Sequence, residues 1–154
     1  MFEVIPGVSS AVAVPACAGI ALTHRGLTST VAFVTGHEDP TKEQSDINWQ
    51  ALVGIGTLVF LMGVKNLGRI TASLIGAGRA PETPAALIRR GTTPHQPALT
   101  GTLGDIAQRA QEAAFRPPAI LVVGSVVELR ESLEWFEKRP LFGRGVIITR
   151  PERQ

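Results

Sequence analysis

Short runs of β-branched and apolar residues recur along this chain, separated by stretches that repeat every three or four residues. That alternation limits the fold more than any other feature. Thr30–Thr35 (TVAFVT) and Thr57–Met62 are apolar on both faces, the mark of strands covered from two sides. Pro84–Arg89, Gln96–Thr100 and Ala119–Val123 read as further strands, and Met1–Ile5 as a short strand-like entry stopped by Pro6-Gly7. Between them the spacing predicts a helix over about Val8–Ile20, capped by Ser9 or Ser10, with Pro15 kinking it or confining it to its second half. Asn66 is placed to cap a helix whose Leu67, Ile70 and Leu74 form one stripe, closed by Gly76-Ala77-Gly78. Thr102 with Asp105 resembles a capping box ahead of Leu103, Ile106, Ala107 and Ala110. A last helix is expected over Val126–Lys138 through Leu129, Leu133 and Phe136. Strands alternating with helices give an α/β fold, a mixed sheet of about five strands flanked by helices.

Composition narrows the class. With 154 residues, 44% hydrophobic and 18% charged, the chain has enough apolar material for one ordinary core. A net charge of +2 leaves no nucleic-acid footprint, so no nucleic-acid partner is expected. Twelve arginines stand against three lysines, a bias that suits a ligand with several carboxylates and equally suits a genome that encodes Arg cheaply. Cys17 is the only cysteine, which excludes an internal disulfide and any CxxC metal site. The longest greasy stretch, Ala11–Leu22, contains Pro15 and Gly19 and is too short for a bilayer. Met1-Phe2-Glu3 lacks the opening of a signal peptide, so no membrane association and a cytoplasmic location are expected. His37-Glu38-Asp39 sits beside Pro40 in the polar stretch Gly36–Asn48 and reads as a solvated loop, not a metal site.

Four collinear segments carry the functional reading. Val4-Ile5-Pro6-Gly7-Val8-Ser9-Ser10 is followed by Ala18-Gly19-Ile20-Ala21-Leu22-Thr23-His24-Arg25, then Leu58-Val59-Phe60-Leu61-Met62-Gly63, then Ala86-Leu87-Ile88-Arg89-Arg90-Gly91-Thr92. In this order, from about Glu3 to Phe136, they resemble the C-terminal half of uroporphyrinogen-III C-methyltransferases, members of the tetrapyrrole methylase family. That family also carries a preceding domain with a Gly-rich loop and a Gly-Asp-Pro segment for S-adenosylmethionine, and neither motif occurs in these residues. The resemblance therefore implies a C-terminal domain over 1–138, expected to be inactive alone.

What the resemblance implies about the site can be set beside each residue's plainer role. Ser9 and Ser10 take the helix-start positions that contact S-adenosylmethionine or S-adenosylhomocysteine; a simple N-cap is the alternative. Met62 meets the adenosyl part, where a thioether packs against a flat ring, unless it is a core methionine. Gly91 lets backbone approach the adenine, unless it is an ordinary turn glycine. Arg25 faces the tetrapyrrole, uroporphyrinogen III, and pairs with one of its carboxylates, with His24 a neighbour at the same rim or a structural histidine. Gln96-Pro97 departs from the family pattern, in which Arg commonly follows the Gln. No catalytic triad or metal is required, because methyl transfer from a sulfonium rests on placement and exclusion of water. The complete enzyme would make precorrin-2, the branch point to sirohaem and cobalamin. Another methylase of corrin synthesis, or a non-catalytic assembly module, are the alternatives. A homodimer is expected to cover apolar surface around Pro6–Ala11, Met62 and Gly91.

After Arg139-Pro140 the run Leu141–Pro151 resembles the opening of uroporphyrinogen-III synthase. Residues 139–154 are therefore expected to be a linker and the first strand of a second domain, poorly packed on the first.

Overall fold

The computed structural model describes residues 2–37, 45–147 and 149. Five strands form one mixed sheet: β1 (Val31–Thr35), β2 (Thr57–Leu61), β3 (Pro84–Arg89), β4 (Ala98–Thr102) and β5 (Ala119–Val123), in the order β1-β2-β5-β3-β4. β1 and β2 are parallel, with Val31 opposite Thr57 and Thr35 opposite Leu61. β5 runs antiparallel to both β2 and β3, and β4 antiparallel to β3. Two-residue periodicity sorts the central strands onto two faces. Leu58 and Phe60, Ala85 and Leu87, Leu121 and Val123 face one way, against Leu67, Ile70 and Leu74 of α3 (Leu67–Gly76) and Ile106 and Ala110 of α4 (Ile106–Glu112). Val59, Ala86, Ile88, Ile120 and Val122 face the other way, against Ala11 and Val14 of α1 (Ser10–Cys17) and Val126 and Val127. Because both faces are covered, the central strands are apolar without alternation, as expected of a sheet between two helical layers.

Several elements differ from expectation. Residues 2–9 form no strand; Phe2, Val4, Ile5 and Val8 are all exposed. A strand exists only where its amides find a ladder partner, and local sequence cannot supply one. α1 starts at Ser10 and runs through Pro15 instead of being confined behind it, then stops at Ala18 and a left-handed Gly19 (φ 70°). Asn66 holds the N-cap position of α3, but its side chain makes no cap bond: its amide donates to the Gly36 carbonyl at 2.8 Å and so ties the ends of β1 and β2 together. Asp105, not Thr102, is the N-cap of α4, and its Oδ1 accepts the Thr102 N–H at 2.7 Å. β4 begins at Ala98, two residues later than expected, and the Gln96 side chain before it is buried in its own hydrogen bonds. A single helix over Val126–Lys138 does not form. A 3-10 turn (Ser125–Leu129) leads into α5 (Arg130–Leu133), and Glu134 is extended at ψ 117°. The opening lets Trp135 Nε1 donate to the Ala16 carbonyl at 3.1 Å and turns Glu137 inward, neither of which a continuous helix would allow.

The short α2 (Trp49–Leu52) ends in a loop held by Arg79, whose guanidinium donates to the carbonyls of Val53, Ile55 and Gly56. Burial alone pushes the Arg79 pKa below the usual arginine value. Beyond Lys138 the chain is packed at first. Arg139 lies 4.6 Å over the Trp135 ring, and Phe142 meets Phe136 edge-on at 5.5 Å. From Arg144 to Ile147 there is no regular structure, and Val146 and Ile147 are exposed. Ile148 and residues 150–154, the rest of the expected second-domain strand, lie outside the described residues, as do Glu38 to Gln44 of the polar loop. Among the described residues no helix is long and apolar enough to cross a membrane, and no cluster could hold a metal ion.

Candidate functional site

A cleft of about 750 Å³ opens where β1 and β2 end and β5 begins. Its walls are mostly apolar: Val14 of α1, Leu61, Ile88, and the Pro117–Ile120 segment entering β5. Ser10, His37, Lys65, Arg90 and Thr93 supply the polar rim. Its side chains include Lys65 and Arg90 and no carboxylate among the described residues, so the cleft suits a largely apolar ligand that carries an anionic group.

Three of the four residues assigned to cofactor contact come together here from separate segments. Ser10, at the first turn of α1, Met62, after β2, and Gly91, after β3, all line the cleft. Ser9 does not. Its hydroxyl accepts the Ala11 N–H at 3.2 Å, so its observed role is the N-cap. Met62 is 62% exposed and is no core methionine. It holds a left-handed φ of 57°, and Arg90 and Thr92 do the same at 47° and 67°. An L-residue pays about 1–2 kcal/mol for that region. Such strain gathers where a site over-determines the backbone. Gly91 lacks a side chain where one would collide with α1. A Cβ there would lie 2.8 Å from Val14 Cβ and closer still to the Val14 methyls. The close approach that Gly91 permits is to α1, which brings the rim loop down onto the helix that forms the opposite wall.

His24 and Arg25 are not part of this cleft. They lie in a tight exposed hairpin in which His24 pairs with Thr28. Thr30 anchors that hairpin to the start of β2 by accepting from the amides of Gly56 and Thr57. It therefore meets the sheet at the end opposite Leu61 and Met62, about 13 Å away for four strand rises. Reasoning from sequence missed His37, Lys65, Arg90, Val14 and the Pro117–Ile120 wall. The Arg-Arg-Gly-Thr run was visible, but the left-handed turn that aims it was not. A second, more open hollow of about 510 Å³ lies behind the rim loop, lined by Arg89, His95, Gln96 and Phe142, with Arg90 common to both.

Comparison with known proteins places this geometry in context. Residues 1–107 match the model of the tetrapyrrole (corrin/porphyrin) methylases. An S-adenosyl-L-methionine-dependent uroporphyrinogen III methyltransferase of Methanosarcina barkeri is 55% identical over 86% of this chain and 52% of its own length. A porphyrin biosynthesis protein HemD of Ruminiclostridium josui is 41% identical over 98% of this chain and 30% of its own. The crystal structure of a uroporphyrin-III C-methyltransferase from Thermus thermophilus, complexed with S-adenosylhomocysteine, superposes with a TM-score of 0.69 at 32% identity, covering 82% of this chain and 54% of that one. The chain thus spans about half or less of the length of these relatives.

Proposed function

The chain belongs to the tetrapyrrole (corrin/porphyrin) methylase family, and from that premise we propose that it forms the C-terminal part of an S-adenosylmethionine-dependent uroporphyrinogen-III C-methyltransferase. The observation that carries the reading is the convergence of Ser10, Met62 and Gly91 on one apolar cleft. The residues fit the ligand: a hydroxyl and a free helix-start amide at Ser10, a thioether held outward at Met62, and aliphatic walls at Val14 and Ile88 for an adenosyl group. S-adenosylmethionine, when bound, supplies an already activated methyl group, and a pyrrole carbon of uroporphyrinogen III is the acceptor, on the way to precorrin-2. The contribution of this chain is to bind and orient the donor and to keep water from it. His24 and Arg25 belong in this reading to the substrate side. Arg25 is an exposed cation with no carboxylate partner among the described residues, as a contact for a carboxylate arm arriving from outside the cleft requires.

Two further parts of the reading concern assembly. Exposed Phe2, Val4, Ile5 and Val8 next to the cleft's helix favour a homodimer or a covering domain in the cytoplasmic enzyme. Residues 139–154 are read as the linker and opening strand of a synthase-like domain, supported by the similarity to the R. josui protein, which takes in 98% of the chain and so continues past Lys138. Calorimetric titration of S-adenosylhomocysteine into the full-length enzyme tests the site. Met62→Ala is expected to weaken binding by about 1–2 kcal/mol, the scale of lost sulfur–aromatic contact plus burial. Unchanged affinity would remove Met62 from the site.

A further inference from the structure

Behind the rim loop runs a chain of hydrogen bonds that no ligand in the cleft needs to touch. Gln96 is 3% exposed. Its Oε1 accepts the Thr92 N–H at 2.7 Å, and its Nε2 donates to Glu137 Oε1 at 2.8 Å. Glu137 Oε2 accepts from Arg130 Nη2 at 2.7 Å, and Arg130 Nη1 donates to the carbonyl of Ala18, the C-cap residue of α1. The far end of that same helix carries Ser10, and its middle carries Val14, which Gly91 packs upon. One polar chain therefore joins the strained loop and the helix that together make two walls of the cleft.

The chemistry of each link is specific. Thr92 and Arg90 keep left-handed backbone only while something holds them there. A primary amide offers both the acceptor that Thr92 N–H needs and the donor that Glu137 needs. Removing it strands a backbone N–H and a carboxylate oxygen in a part-buried place, and unpaired polar groups there are costly. Arg130 and Glu137 also lie beyond residue 107, where the family match ends.

We propose that Gln96, Glu137 and Arg130 act as a positioning relay that sets the Arg90–Thr93 rim, so that the segment after β5 governs affinity for the adenosyl ligand without touching it. The proposal rests on the reading of the cleft as the S-adenosylmethionine site. In the full-length enzyme, Gln96→Leu is expected to raise the S-adenosylhomocysteine dissociation constant and the KM for S-adenosylmethionine about tenfold. The kcat at saturating cofactor should stay within about twofold, because the relay contacts no reacting atom. Gln96→Glu sets a second carboxylate against Glu137 and should weaken binding similarly. Adding Glu137→Gln to it restores every link. The carboxylate introduced at 96 accepts from Thr92, while the amide introduced at 137 donates to that carboxylate and accepts from Arg130. The pair should return to within about twofold of wild type, which a merely structural role would not predict for ligand affinity. Single variants that melt lower yet bind normally, or a double variant no better than Gln96→Glu, would overturn the relay. If the wild-type enzyme itself fails to bind S-adenosylhomocysteine, the reading of the cleft fails instead. The relay is then decided by amide hydrogen exchange at Thr92, which Gln96→Leu should speed at least about tenfold; unchanged exchange there would end the proposal.

Discussion

Gly91 and Val14 show how a single missing side chain shapes the cleft. A methyl at position 91 has nowhere to go, because its neighbour is a β-branched side chain on a packed helix and not the free end of a flexible one. Gly91→Ala is expected to destabilise the protein by about 1–3 kcal/mol, the usual range for overpacking, as read from the shift of a denaturant midpoint. Val14→Ala should recover part of that loss in the double variant, since it removes the atoms in the way; strictly additive losses would mean that the two positions do not meet. Arg25 is tested in the opposite manner, through the substrate. In the full-length enzyme Arg25→Ala should weaken uroporphyrinogen binding by about 1.5–3 kcal/mol, the range for a hydrogen bond to a charged group. S-adenosylhomocysteine affinity should not move, because Arg25 lies at the other end of the sheet from Met62. Arg25→Lys should recover only part, as an ammonium lacks the two-pronged geometry. Unchanged substrate affinity would reduce Arg25 to an ordinary surface cation. The sequence pointed to Ser10, Met62 and Gly91 of the cleft but not to Val14, Lys65 or Arg90. It could not separate Ser9 from Ser10, because one residue of helix phase decides which caps and which faces the cleft.

Elements were legible where their periodicity was strong and their partners were local. The five-stranded sheet, α3 with its Leu67–Ile70–Leu74 stripe and α4 all formed near their expected places. Two of the failures share a cause in long-range contacts. Leu129, Leu133 and Phe136 have helical spacing, yet Arg130, Trp135 and Glu137 find partners at Ala18, Ala16 and Gln96, and those bonds break the helix after Leu133. Asn66 likewise gave up a local cap for the distant Gly36 carbonyl. The start of α4 gives this scale a pH test. Asp105 accepts the Thr102 N–H and the Arg109 Nε–H, both at 2.7 Å. The Thr102 backbone bond is the main cause that holds its carboxyl below the usual aspartate value; burial opposes it as the next-largest effect, and Arg109 adds to the lowering. A depressed folded-state pKa means that the charged carboxylate favours the folded protein. That contribution is fully present above the unfolded value, about 4. It is lost as pH falls through the lower folded value. Asp105→Asn should therefore melt below wild type at neutral pH, and the gap should close as the pH drops below about 4. Because Asp105 is substantially exposed, solvent screening keeps the gap small. A gap that stayed constant from pH 7 to pH 3 would show that shape, not charge, holds the start of α4.

At the scale of the whole molecule, a well-covered sheet stands beside an uncovered site. Both faces of the central strands are sealed, whereas Phe2, Val4, Ile5, Val8 and Met62 are left in the open. The exposed surface is narrower than the expected span of Pro6–Ala11 with Gly91, because Ala11 is buried on the sheet and Gly91 is half-covered by Val14. Apolar side chains grouped this way draw a second surface over them, so this chain produced by itself should sediment as a dimer or larger at high micromolar concentration. A clean monomer would show that the apolar groups are too scattered to associate. Ligand affinity follows from the same geometry. The cleft is open to solvent, while a drug-sized ligand in a complete site has most of its surface buried. If the complete site held S-adenosylhomocysteine at about 1 µM, or about 8 kcal/mol, half of that free energy would correspond to about 1 mM. Binding also carries a fixed loss of translational and rotational freedom that does not halve with the contacts, so the true figure should be weaker still. The isolated chain should therefore give no measurable heat with S-adenosylhomocysteine at micromolar concentrations and no methyltransferase turnover. Low-micromolar binding by these residues alone would place nearly the whole site within them, and would make Ser10, Met62, Arg90 and the Pro117–Ile120 wall sufficient to hold the ligand.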